Sequence, residues 1–247
     1  MRDGESLKVF KNAQYIAHRR KKDKQIQELS AHLKETAKLA GEFAFKIGLK
    51  GQGELIGLLH DIGKASREFK QYIESALGII DPDEDDYVDA KGLKGKVDHS
   101  TAGAQIIYNN LSKKGPEGII AAQILALCVA SHHSGVIDCL SPDGTNNFQR
   151  RMEKTEEKAH TAEVLSNLEE AERTKIVKMF SKKLSAQIVS KVKSLKEEND
   201  SKESLMFKYG LLTRFLFSCL IDADRLSTAD FEFPQNSNIR NQNKYLS

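Results

Sequence analysis

Three apolar, helix-patterned runs in this chain each end on side chains that bind metal ions, and this restricts the fold more than any other feature. Residues 54–59 lead into His60-Asp61, residues 119–130 precede His132-His133, and residues 211–221 lead into Asp222-Ala223-Asp224. The apolar residues require a core, yet two adjacent neutral imidazoles left there without partners would cost several kcal/mol. The conflict disappears if the ends of the runs meet around a divalent cation, for which imidazole nitrogen and carboxylate oxygen are natural ligands. Neighbouring side chains at a helix end point about 100° apart, so both can reach one cavity. His32, between Ala31 and Leu33, and His99, between Asp98 and the start of another helical stretch, complete the set. These five imidazoles, with Asp61 and Asp224, suffice for one metal ion with a full shell or for two sharing Asp61.

Helix formers dominate the chain, which has only 4 Pro and no Trp, and an all-α fold is expected. Helices are expected over residues 25–47, from about 54 into His60, over 66–77, from an N-cap at Ser100 or Thr101, over 118–131, and over 208–226. Residues 150–203, rich in Lys and Glu, read as two or three surface helices. The glycines within 48–53 read as a break, residues 78–98 as an acidic loop, and 136–149 as a second loop. No alternating strand pattern stands out. Residues 1–230 read as one metal-binding domain, and 231–247 as a polar, asparagine-rich tail or linker.

A net charge of +3 decides nothing about nucleic acid. Residues 18–22 form one basic cluster and Lys91, Lys94 and Lys96 another. The first reading of each is a solvated face, and the second is phosphate contact. His18 and His160 stand among charged residues and are expected to be exposed, outside the site. The three cysteines show no paired spacing, so a disulfide framework or zinc knuckle is not expected and the chain reads as cytoplasmic. No charged-then-apolar leader is evident. The apolar run at 119–130 is too short for a bilayer of ~30 Å, so no membrane is expected among the partners.

The run Leu58-Leu59-His60-Asp61-Ile62-Gly63-Lys64 resembles the defining motif of the HD phosphohydrolase superfamily. Asp98-His99-Ser100-Thr101-Ala102-Gly103-Ala104, Ala130-Ser131-His132-His133-Ser134-Gly135 and Asp222-Ala223-Asp224-Arg225-Leu226 are similar to one branch of it. That branch is the HD nuclease domain of the CRISPR-associated helicase-nuclease of type I interference systems. His32 matches the family's upstream histidine. The resemblance implies a helical bundle around a metal cavity and cleavage of single-stranded DNA. It implies manganese, nickel, cobalt or iron(II) as the metal, with magnesium a further option. It also implies two partners: an RNA-guided surveillance complex that opens the target duplex, and a superfamily 2 helicase that feeds one strand. A phosphate-binding loop would need glycine five residues before Gly63-Lys64 and Ser or Thr after it, where Leu58 and Ala65 stand. The helicase is therefore expected beyond the tail or on a separate chain.

Within this reading, His32, His60, Asp61 and Asp224 hold one metal, and Asp61 bridges to a second held by His99, His132 and His133. Lys64 either steadies the scissile phosphate or is a surface lysine paired with Glu68. Ser100, Thr101 and Ser134 are candidates for contact with phosphate or with ligand-bound water. Asp222 and Asp224 lie ~200° apart on a helix and cannot both enter the cavity; the family pattern favours Asp224. Two other readings remain: a phosphohydrolase of small or cyclic nucleotides, and a non-catalytic docking module.

Overall fold

The computed structural model describes Phe10 and residues 15–93, 95–195, 197–198 and 200–243; Lys94 of the second basic cluster lies outside them. As expected, the fold is all-α, with one hairpin among the described residues. Strands β1 (Ile16–Arg19) and β2 (Ile26–Glu28) pair antiparallel, with a register shift between Ile16 and His18. Then follow α1 (Leu29–Phe45), α2 (Lys50–Leu59), a 3-10 turn (Ile62–Ala65), α3 (Arg67–Ala76), α4 (Ala90–Leu93), α5 (Thr101–Leu111) and α6 (Pro116–Ser131). The second half comprises α7 (Asn147–Met152), α8 (Glu156–Ala159), α9 (Thr161–Asn167), α10 (Glu170–Met179), α11 (Lys182–Ser194), α12 (Lys202–Glu232) and α13 (Pro234–Asn243).

Several expectations need correction. The segment read as the start of a helix at residue 25 is β2, whose buried Gln27 between exposed Ile26 and Glu28 is too short an alternation to register as a strand. The glycine-rich stretch at 48–53 is not a break throughout, because α2 begins at Lys50. A Cβ at Gly53 would sit 2.3 Å from Ala40 O, and one at Gly57 would sit 2.6 Å from Ala37 Cα. Both glycines therefore let α2 press its backbone against α1. The loop at 136–149 gives way to α7, capped by Asn146. Among the described residues, the stretch 150–203 holds the end of α7, all of α8 to α11 and the start of α12. Where the sequence reads as a polar tail, α12 continues through Glu232 and α13 follows, its Arg240 paired with Asp230 of α12.

The core lies between α1, α2, α5, α6 and α12. Leu29, Leu33, Leu55, Ile56, Leu59, Ile107 and Leu125 are fully buried in it, with Leu216 and Leu220 of α12 closing one side. The apolar helix α6 is largely enclosed by these neighbours, so its C-terminal His132 enters the core rather than the surface. Among the described residues, α12 alone is long and apolar enough to cross a membrane by length and composition; here it packs against α1 and carries Asp224 to the site.

Candidate metal centre

Four of the histidines arrive at the centre with the outer nitrogen already engaged. His60 Nδ1 lies 2.8 Å from Gly57 O, His132 Nδ1 2.7 Å from Val129 O, and His99 Nδ1 3.2 Å from Val97 O. A carbonyl only accepts, so these contacts put the proton on Nδ1 and leave the Nε2 lone pair facing inward. His32 reaches the same state by another route. Its Nδ1 lies 3.1 Å from Ser227 Oγ, which donates at 2.8 Å to Glu35 Oε2 and so accepts from the ring.

The inward nitrogens converge on Asp61, which is 1% exposed. Its Oδ1 lies 3.1 Å from His132 Nε2, 3.5 Å from His99 Nε2 and 3.6 Å from His133 Nε2. Its Oδ2 lies 3.5 Å from His60 Nε2 and 3.7 Å from His32 Nε2. Asp224 Oδ1 faces the second group, 3.3 Å from His32 and 3.7 Å from His60. The two oxygens of one carboxylate thus divide five imidazoles into two sets. Within each set the inward nitrogens face each other: His32 Nε2 is 3.3 Å from His60 Nε2, where both carry lone pairs, and His99 Nε2 touches His133 Nε2. Facing lone pairs repel unless a cation lies between them, and this donor chemistry fits divalent metal ions. Among the described residues, three groups of side chains have ligand atoms close enough to hold one: Asp61 with His99, His132 and His133; His32 with His60 and Asp61; and His18 with His32 and Asp224.

Burial sets the electrostatics. It holds the pKa of His32 and His132 below the ordinary imidazole value and that of His99 down to about 3, which keeps these rings neutral as metal binding requires. At His60 burial also opposes the proton, but Asp61 and Asp224 outweigh it and the pKa is raised. For Asp61, burial pushes upward and is overcome by Lys64, His60 and the neighbouring imidazoles, so its carboxyl stays well below the usual range. Asp224 is lowered against the effect of burial by His32 and His60.

Backbone contacts fix where the ligand-bearing segments end. A Cβ at Gly63 would lie 2.1 Å from His99 O, and one at Gly103 would lie 1.9 Å from Leu59 O. Only glycine lets the turn after Asp61 meet His99, and lets α5 meet the end of α2 just before His60. Asp98 caps α5 through Ser100 N and Thr101 N, both 3.1 Å from its Oδ1, and ties the cap to Lys154 and Arg151. The expected caps, Ser100 and Thr101, are therefore capped themselves. Ser100 Oγ accepts from Arg151 at 2.6 Å and Thr101 Oγ1 accepts from Arg151 Nε at 2.9 Å, so neither hydroxyl is directed at a substrate. Ser134 Oγ turns back to Gly135 O at 3.3 Å.

All seven predicted ligand positions meet in one place. Lys64 is 6% exposed, and its Nζ lies 2.6 Å from Asp61 Oδ2; Glu68, its alternative partner, instead contacts His160 at 2.8 Å. Asp222 is exposed and turned away, whereas Asp224 faces the cavity. The expectation for His18 was wrong. Its ring stands 5.0 Å from that of His32, its Nε2 is 3.2 Å from Thr228 Oγ1, and burial and Lys64 lower its pKa to about 3. It was missed because a strand too short to recognise carries it in from a basic run. Glu35 and Ser227 were also missed. Each lies three residues beyond a candidate ligand on the same helix face, His32 and Asp224 respectively, and that spacing carries the signal. The centre opens to solvent where His133, half exposed, and Asp224 line its rim.

An all-helical fold gathered around an HD dipeptide and facing imidazoles defines an HD-type metal-dependent hydrolase. The family described as "Cas3, HD domain" matches residues 49–213, and the chain belongs to it. The chain is accordingly a metal-dependent phosphohydrolase or nuclease of CRISPR context, of a kind usually fused to or paired with a helicase. His60, Asp61, His99, His132 and His133 fall within the matched span, while His18, His32 and Asp224 lie outside it. No curated protein matches the chain.

Proposed function

We propose that this domain hydrolyses phosphodiester bonds of single-stranded DNA in type I CRISPR interference. The observation that carries the reading is the division of ligands by Asp61, with His32, His60 and Asp224 on the side of Oδ2 and His99, His132 and His133 on the side of Oδ1. That arrangement suits two cations held close together by a shared carboxylate. His32, His60, Asp61 and Asp224 would hold one; Asp61, His99, His132 and His133 would hold the other. Divalent ions so held make hydroxide available near neutral pH and stabilise charge on the phosphoryl oxygens.

The protein's own groups do the rest. Glu35 and Ser227 fix the tautomer of His32, and the carbonyls of Gly57, Val97 and Val129 fix those of His60, His99 and His132. Lys64 keeps Asp61 ionised and oriented; buried at 2.6 Å from that carboxylate, it acts through Asp61 rather than on the phosphate. The half-exposed His133 marks the side from which a strand reaches the centre. Mixed nitrogen and oxygen ligands suit manganese, iron, cobalt or nickel better than magnesium. A helicase domain or subunit delivers the strand, and the RNA-guided complex opens the duplex upstream. The free cysteines fit a cytoplasmic setting, and we take residues 1–230 as the metal-binding domain and 231–247, helical as far as Asn243, as the segment leading toward a helicase.

The test is a metal series on linear and circular single-stranded DNA with wild type and Asp61→Ala. Manganese-dependent cutting lost in the variant is expected. Release of phosphate from nucleotides, with DNA left intact under every metal, would defeat the reading in favour of a small-nucleotide phosphohydrolase.

A further inference from the structure

The basic run at residues 19–24 plays no part in the centre described above, yet the hairpin sets it beside that centre. Its two arginines are occupied. Arg19 Nη1 donates to Leu77 O at 2.8 Å; Arg20 Nε donates to Phe231 O at 2.8 Å, pairs with Asp23 at 3.0 Å and stacks 4.7 Å over the Phe231 ring. These contacts clamp the hairpin between the end of α3 and α12. Lys21, Lys22 and Lys24 are exposed at its tip. The nearest carboxylates are engaged, Asp23 by Arg20 and by Gln25 N, and Glu232 by Lys21 N.

Lys24 adopts φ 64°, a left-handed conformation that suits glycine or asparagine. A lysine there sets an ammonium group at the tip against the backbone's preference, as strained residues at functional sites do. From the tip, β1 leads straight to His18, whose ring stands 5.0 Å from His32. Lys21 follows His18 by three residues, so at no more than ~3.6 Å per residue it lies within about 11 Å of it. That is about one Debye length at 0.1 M salt, so the tip and the centre act on the same short length of any strand bound there.

We infer that Lys21, Lys22 and Lys24 form a rail for the phosphate backbone of the single-stranded DNA cut at the metal centre. The inference rests on the nuclease reading. Ammonium groups on flexible stems, with no aromatic residue among residues 19–25 for bases to stack on, bind charge without selecting sequence.

The experiment measures binding of a fluorescent oligothymidylate by anisotropy in EDTA, between about 50 and 200 mM salt. The variants are Lys24→Asn and the triple Lys21→Ala/Lys22→Ala/Lys24→Asn. The triple variant is expected to bind at least tenfold more weakly at the low-salt end, with the slope of log K against log salt shallower by about 2. Lys24→Asn alone is expected to weaken binding while its thermal midpoint stays level or rises, a pairing that loss of structure does not produce. Unchanged affinity and slope in the triple variant, or no binding by wild type, overturns the rail. A wild type that binds strands with this lysine dependence but never cuts them with manganese overturns the nuclease reading and leaves the rail standing.

Discussion

Replacing Lys64 by methionine tests whether the centre is built to receive positive charge. The Lys64 ammonium lies 2.6 Å from Asp61 Oδ2, with the two side chains 6% and 2% accessible, so water cannot take its place. Removing one member of a buried ion pair costs about 3–5 kcal/mol, because the remaining charge stays buried and unpaired. Here His60, whose pKa is raised, shares the compensation, and we expect the lower end, about 3 kcal/mol. For a chain of this size that corresponds to a fall of about 6–12 °C in thermal midpoint. Manganese should reverse the defect, since a cation beside Asp61 supplies the missing charge. In wild type, metal at a hundred times its Kd adds about 2.7 kcal/mol, and the gain in Lys64→Met should be larger. Calorimetric scans of both proteins in EDTA and in manganese measure the two shifts. Equal midpoints in EDTA, or a manganese shift no larger in the variant, would refute the electrostatic account of the centre.

Three further outcomes follow from the geometry. Asp224→Ala should weaken manganese binding at least tenfold by titration calorimetry and Asp222→Ala less than twofold, because only Asp224 faces His32 and His60; equal effects would contradict this orientation. Gly103→Ala should destabilise the protein by about 1–3 kcal/mol and weaken manganese uptake as well, since its Cβ would meet Leu59 O next to His60; normal metal affinity would show that α5 does not set the position of His60. The pH dependence of the metal-free protein follows from His18 and His99, both lowered to about 3. A group depressed in the folded state gives stability that is present above its unfolded pKa, near 6.5, and lost as pH falls toward the folded value, at up to about 1.4 kcal/mol per pH unit per group. The raised His60 acts in the opposite sense, but only above about pH 6.5, so it leaves the slope at lower pH unchanged. Urea titrations from about pH 7 to pH 4 should show declining stability, and a flat profile would contradict buried neutral imidazoles.

The chain's own pattern was sufficient to identify the helices that carry ligands, because long apolar periodicity survives any particular packing. It also pointed to the side chains that the structure brings together, since His60-Asp61 and His132-His133 at the ends of apolar runs have few other uses. Short-range structure was less legible. The hairpin has too few residues to display its alternation, and Gly51 and Gly53 look like part of a break until α2 is seen to begin at Lys50 with Gly53 pressed against α1.

What the sequence determined by itself is an all-helical fold and a set of seven metal-type side chains, because periodicity and side-chain chemistry are local properties. Tertiary structure decided which oxygen of Asp61 faces which imidazole, that Asp224 and not Asp222 turns inward, that Lys64 is buried on Asp61, and that His18 adjoins the centre. Those facts depend on helices crossing at glycine contacts and on a strand laid beside them. Residues far apart in the chain meet only once the core has formed, and no local pattern encodes the distance between them.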